Sequence, residues 1–263
     1  MSTYLRKQIH SFPLILLLVL AMACTNREEK KITIAAASNT RYVMEIFDSQ
    51  FFSPKGYKIN MVFGSSGKLS AQILNKAPFD LFLSADSECA EKIYQAGLSN
   101  EEPKIYANGS LIFISRQTLA YNKLDLILKD IKNLTIPNPQ QAPYGKAAME
   151  CLEFIKRDVI EFNIIYGSNV SETAHFFLSG SDNAFIPASF LSSEDFLNQF
   201  QSIVSKENLE KHIFAVPQEY YMPIEQKMIL LKERAREIYD FITSPEAENI
   251  WIKNGYIIKR TQG

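Results

Sequence analysis

The chain has 263 residues, 46% of them apolar and 22% charged, with 28 basic side chains against 29 acidic ones. A formal charge of −1 and no basic stripe argue against a nucleic-acid partner. Beyond residue 24 there are two histidines, His175 and His212, and two cysteines, Cys89 and Cys151. They do not fall at metal-ligand spacing, so a zinc site is not expected, and the distant thiols read as buried and free.

The first 23 residues read as a secretory signal. "YLRKQ" is short and basic, and "FPLILLLVLAMA" is apolar but shorter than the roughly 20 residues a membrane span needs. It ends in small residues before Cys24. "AMAC" looks like a bacterial lipoprotein processing site, which implies lipid attachment at Cys24, although Ala21 stands where leucine is usual. Cleavage there removes Arg6 and Lys7 and leaves 26 basic against 29 acidic residues, a net charge of −3. Residues 24–30 read as a polar tether. The remaining body, roughly 230 residues, suffices for one large domain or two lobes with separate cores.

From Lys31 onward short β-rich runs alternate with stretches of helical periodicity, the pattern of an α/β protein with helices covering mostly parallel sheets. "KITIAAA" is the first predicted strand, followed by a helix with Val43, Ile46, Phe47 and Phe51 on one face. "YKINMVF" is the second, alternating Ile59, Met61 and Phe63, and a helix marked by Leu69 and Ile73 follows it. "FDLFLSA" is apolar throughout, as a central strand covered on both faces should be. "SLIFISR" opens a predicted second lobe, continued by "NLTIPNP", a helix through Met149, Leu152 and Ile155, then "EFNIIYG", a helix through Val170, Ala174 and Phe177, and "NAFIPAS". The chain is expected to end in two helices, "LLKERAREIYDFI" and "SPEAENIWIKNGY", the second capped by Ser244 with Pro245 at its first position.

Four strand-to-helix turns stand out: Ser38 after "AAA", Ser66 in "GSSGK", "APYGK" at residues 142–146 and "GSNVSE" at residues 167–172. A helix start offers about four unpaired N–H donors and roughly half a positive charge, so it stabilises an anion without any charged side chain. Each turn alone has an ordinary reading as an N-cap, and Asn169 with Glu172 fits a capping box. Four together, two per predicted lobe, point to the carboxyl ends of the strands, where open α/β sheets bind ligands. A P-loop is excluded because Gly64 and Gly67 enclose only two residues and Leu69 follows Lys68. A nucleophile elbow is excluded because Gly64-Ser65-Ser66-Gly67 lacks a serine flanked at two-residue distance, and no suitably placed His motif supplies a base.

"ITIAAASNT", "FGSSGKLSAQI", "APFDLFLSAD", "NGSLIFIS" and "APYGKAAMECL" resemble, in order, segments of the periplasmic molybdate-binding proteins of ABC transporters. The resemblance covers most of the chain after the leader. It implies a two-lobed periplasmic binding protein of the type II kind, each lobe a mostly parallel sheet flanked by helices, with the ligand in the cleft. Lobe 1 is expected over residues 31–108 and 222–263, and lobe 2 over residues 109–221. By the same resemblance Ser38 and Ser66 bind the oxyanion through side chain and backbone, and Tyr144 and Val170 contribute backbone N–H groups. Pro187 stands where some members supply a tyrosine hydroxyl. Lys68, where a neutral residue is common, reads either as a solvated lysine or as a charge that raises the local potential. Asp80 and Asp86 are expected as turn and capping residues, since a carboxylate beside a dianion repels it. Tyr106 and Tyr220 are expected in packing near the crossings between lobes.

The resulting expectation is a monomeric, lipid-anchored receptor of the cell envelope. It binds molybdate, and tungstate with it, for an ABC permease and its ATPase, and has no cofactor, no nucleic-acid partner and no catalysis. Two alternatives remain open at this point: a receptor of the same fold for sulfate or phosphate, and a sensory or adhesion lipoprotein without a ligand.

Overall fold

The computed structural model describes residues 30–155, 162–204 and 206–259. The expected leader, the Cys24 attachment point and nearly all of the tether lie outside the described residues. Among the described residues, no helix is long and apolar enough to cross a membrane.

Strands β1 (Lys30–Ala37), β2 (Tyr57–Gly64), β3 (Leu81–Leu83), β4 (Lys104–Gly109) and β10 (Ile224–Leu230) form the first sheet, in the order β2-β1-β3-β10-β4. Ile34 lies opposite Leu81 in a parallel pair, whereas Met228 faces Leu83 and Gln226 faces Ala107 in antiparallel pairs. Hence β1, β3 and β4 run one way and β10 opposes them. The second sheet repeats the plan with β5 (Leu111–Ser115), β6 (Asn133–Pro137), β7 (Asn163–Gly167), β8 (Asn183–Pro187) and β9 (Ile213–Ala215), ordered β7-β6-β8-β5-β9. Here β5 is the opposing strand, antiparallel to both β8 and β9, and β6 is parallel to β7 and β8. Both sheets are therefore mixed, each with a strand reversed against both of its neighbours, β10 in the first and β5 in the second.

The chain crosses from the first sheet to the second between Gly109 and Leu111, and returns between Ala215 and Ile224. A side chain at Gly109 would overlap the Tyr144 hydroxyl. Glycine at this crossing lets a helix of the second sheet approach the first.

Strand alternation sorts the first sheet's residues onto two apolar layers. Ile32, Ile34, Ala36, Leu81 and Leu83 face one layer with Val43, Phe47 and Trp251. Ala35, Phe82 and Ile229 face the other with Leu69, Ile73 and Ile93. This two-sided burial explains why "FDLFLSA" carries no polar alternation. The layers come from α1 (Arg41–Phe47), α2 (Ser66–Leu74), α3 (Glu88–Gln95), α8 (Arg236–Ile242) and α9 (Pro245–Lys253). The second sheet is covered by α4 (Leu124–Ile127), α5 (Pro143–Ile155), α6 (Val170–Ser179) and α7 (Glu194–Ile203), with Phe113, Phe177, Phe185 and Phe200 in its core. Ser244 caps α9 as expected, accepting from the Ala247 N–H at 3.2 Å.

Three local expectations are corrected. The helix expected over "LLKERAREIYDFI" starts at Arg236, because Leu230 ends β10. Met228, Ile229 and Leu230 are all buried, so this stretch shows no two-residue period to separate it from a helix. Asp80 is more than a turn residue. Its carboxylate is fully buried and accepts from the Thr33 N–H at 2.7 Å and from Arg234 Nη2 at 2.6 Å, with Lys232 Nζ at 3.3 Å. Asp86 does cap, accepting from the Cys89 N–H at 2.8 Å. Cys151 is buried but Cys89 is half-buried; both thiols are free, and burial pushes each up to about 12.

Candidate functional site

Four turns bring their first residues to one small cavity. The turn at Ser38 follows β1, that at Ser65 and Ser66 follows β2, Ala142 to Tyr144 opens α5, and Asn169 with Val170 opens α6. Ala85, just after β3, completes the wall. The cavity is tight, about 10 Å³, and none of the side chains lining it carries a charge. Ser38, Ser66, Tyr144 and Val170, which the sequence singled out separately, are thus placed together. Two belong to the first sheet's side and two to the second's.

Each turn has a local cause. After Ala37 the backbone enters a short 3-10 turn, Ser38–Thr40, closed by the Thr40 hydroxyl on the Ala37 carbonyl at 2.8 Å. Ser65 is extended (φ −72°, ψ 145°) and hands over to α2. Asn169 accepts from the Glu172 N–H at 3.0 Å, and the Glu172 carboxylate reaches back to the Ser168 N–H. That is the expected capping box with the return bond one residue earlier. The Ser168 bond holds Glu172 below the usual carboxylate range. Three of the helices, α2, α5 and α6, aim their amino ends at the cavity, so their partial positive charge adds there; the one carboxylate in their first turns, Glu172, is turned back onto the Ser168 N–H.

The two sides already touch. The Gly67 N–H donates to the Gln141 carbonyl at 3.0 Å. A Cβ at Gly67 would sit 3.1 Å from that oxygen and 3.2 Å from the Gln141 Cα, so glycine allows this approach. Lys68, one residue on, is exposed, and its charge is among the influences that lower Glu172 across the cleft.

Behind the cavity lies a buried polar cluster that ties the Ser38 turn to both sides. Asn39 Nδ2 donates to Gln226 Oε1 at 2.9 Å and to the Tyr256 hydroxyl at 3.1 Å. Tyr106 donates to Gln226 Oε1 at 2.7 Å. Gln226 Nε2 in turn donates to the Tyr144 hydroxyl at 3.1 Å. The Asn39 carbonyl accepts from Tyr256 at 2.7 Å and from Ser189 at 3.1 Å. Burial raises Tyr106, Tyr144 and Tyr256 above the ordinary tyrosine value, so all three hydroxyls keep their protons. Tyr106 is therefore a hydrogen-bonding residue as well as a packing one, while Tyr220 stacks on Phe154 with centroids 4.6 Å apart.

The Ser66 hydroxyl accepts from the Ala85 N–H at 2.9 Å, which leaves its own proton free to point inward. Pro187 ends β8 opposite Leu111 and is not among the residues that line the cavity. Sequence reasoning did not reach Ser65, Asn39, Ala85 or Gln226. For Ser65 the serine doublet was the available cue, but no local pattern marks Gln226, whose partners Asn39, Tyr106 and Tyr144 are distant in sequence. Among the described residues no cluster of His, Cys, Asp or Glu could hold a metal ion, and His212 is buried with Nδ1 3.1 Å from the Ser115 carbonyl.

A model of the bacterial extracellular solute-binding protein family matches residues 32–257. The molybdate-binding protein ModA of Rhodobacter capsulatus is 30% identical over 250 residues, covering 92% of this chain and 94% of its own. ModA of Azotobacter vinelandii is 26% identical over 245 residues, covering 89% of this chain and 92% of its own. The structure of the A. vinelandii periplasmic molybdate-binding protein aligns with a TM-score of 0.72 at 24% identity, over 87% of this chain and all of that one.

Proposed function

The chain belongs to the bacterial extracellular solute-binding protein family, and from that premise we propose that it captures molybdate in the cleft between its two sheets for an ABC transporter. It acts as a receptor, not as an enzyme. The observation that carries the reading is the uncharged cavity at the meeting point of four helix-opening turns. Ser38 and Ser66 offer hydroxyls, and Tyr144 and Val170 offer backbone N–H groups. Such donors suit a fully deprotonated tetrahedral anion. A singly protonated one brings a hydroxyl that wants an acceptor, and an unmatched buried polar group costs about 1–3 kcal/mol.

Tungstate has the same charge and shape class and is expected to share the site. Residues 31–108 with 222–263 act as one lobe and 109–221 as the other, closing over the ligand because it binds the closed form better. The two relatives named molybdate-binding favour molybdate over sulfate. A leader removed before Cys24 and a lipid on that cysteine would hold a monomeric receptor at the membrane beside a permease and its ATPase.

Thermal unfolding with molybdate, tungstate, sulfate and phosphate at equal ionic strength tests the reading. A ligand at one hundred times its dissociation constant adds about 2.7 kcal/mol, or roughly 5–10 °C for a body this size. Molybdate and tungstate should raise the midpoint and phosphate should not. A rise with sulfate or phosphate alone reassigns the substrate, and no rise with any anion removes the receptor reading.

A further inference from the structure

We infer that the Ser65 hydroxyl is a ligand donor of this cleft, in addition to Ser66 and distinct from it. The inference rests on the oxyanion reading above. Ser65 occupies the N-cap position of the nine-residue helix α2, yet its side chain makes no capping bond. Serine N-caps ordinarily accept from the amide three residues on. Two others in this chain do so: Ser193 accepts from the Phe196 N–H and Ser244 from the Ala247 N–H, each at 3.2 Å.

Ser65 is instead 4% exposed, its Oγ has no hydrogen-bond partner, and it lines the cavity. Among the described residues one other buried side-chain atom shares this condition, Asn108 Oδ1, which does not line the cavity. A buried hydroxyl without a partner is costly, and native proteins rarely leave one so. The adjacent Ser66 hydroxyl is already held by the Ala85 N–H. Ser65 forgoes both its own helix and solvent, so its natural complement is an acceptor within the cavity. One turn then presents two neutral O–H donors side by side to a single anion.

Calorimetric titration of the purified protein with molybdate, and with sulfate in parallel, tests this in wild type, Ser65→Ala and Ser65→Cys. Denaturant unfolding without ligand accompanies each. Ser65→Ala should weaken molybdate binding ten- to a hundredfold and leave the unliganded midpoint unchanged or higher, because the hydroxyl removed had no partner in the protein. Ser65→Cys is nearly isosteric and a poorer donor, and should fall between. An affinity within twofold of wild type overturns the inference. So does an unliganded Ser65→Ala that is destabilised or does not fold, since that marks a structural role. If wild type itself binds neither anion, the oxyanion reading fails and the assignment of Ser65 falls with it; the wild-type titration distinguishes that case.

Discussion

The two ends of β3 lie only a few residues apart and solve opposite problems. At its start, Asp80 places a full charge in the interior and surrounds it: an amide from β1, the Arg234 guanidinium and the Lys232 ammonium meet the carboxylate. At its finish, Ala85 faces a cavity whose walls are uncharged and whose Ser65 hydroxyl lacks a partner. A buried charge is tolerable when paired and hydrogen-bonded, and the first end obeys that rule completely. The second end departs from full satisfaction within the same sheet. Unsatisfied groups next to a fully satisfied cluster mark a place reserved for something else.

Substitutions can break this contrast from either end. Asp80→Ala should have the largest effect, because it orphans the Thr33 N–H and removes both ion pairs. We expect a loss of about 3 kcal/mol in urea unfolding, with molybdate affinity unchanged in the folded fraction. A loss below about 1 kcal/mol would mean the charged end is not structural. Ser66→Ala should do the reverse. Molybdate binding should fall about a hundredfold, or ~2.7 kcal/mol, while stability falls by only about 1 kcal/mol as the Ala85 N–H loses its acceptor. Equal losses in both measurements would erase the distinction.

Gly67→Ala sharpens the comparison by acting on closure alone. Its Cβ meets the Gln141 backbone, so the liganded protein should stay more open by small-angle scattering and bind about tenfold more weakly, or ~1.4 kcal/mol. An unchanged affinity and radius would show that the lobes need not approach there. The smallest effect concerns pH. Glu172 is held below its ordinary value by hydrogen bonding to Ser168, first its side chain and then its backbone N–H, so its contribution is present above the unfolded carboxylate pKa of about 4.3 and is lost as pH falls through the lowered folded value. Glu172→Gln should flatten that acid limb of the stability profile and leave neutral pH nearly unchanged; an unaltered acid limb would contradict the capping role.

Much of the fold was legible because the strands and helices carry different periods: "YKINMVF" alternates, and the face through Val170, Ala174 and Phe177 repeats at helical spacing. The turns were legible because serine, glycine and asparagine mark helix starts for reasons of hydrogen bonding. What escaped was long-range. β10 is buried on both sides, so its apolar run matches either a strand or a helix. Asp80 looked like a turn residue because its partners lie about 150 positions later, at Lys232 and Arg234. Gln226 binds Asn39, Tyr106 and Tyr144 through tertiary placement that no local pattern encodes. Ser65 and Ser66 are neighbours of the same type, and only their partners distinguish them.

The most direct test of the central claim is anomalous diffraction at the molybdenum absorption edge from crystals grown with molybdate. One strong peak is expected in the cleft, within hydrogen-bonding reach of the Ser38 and Ser66 hydroxyls and the Tyr144 and Val170 amides. An empty cleft at saturating molybdate, or a peak held instead by exposed lysines on the outer surface, would contradict it.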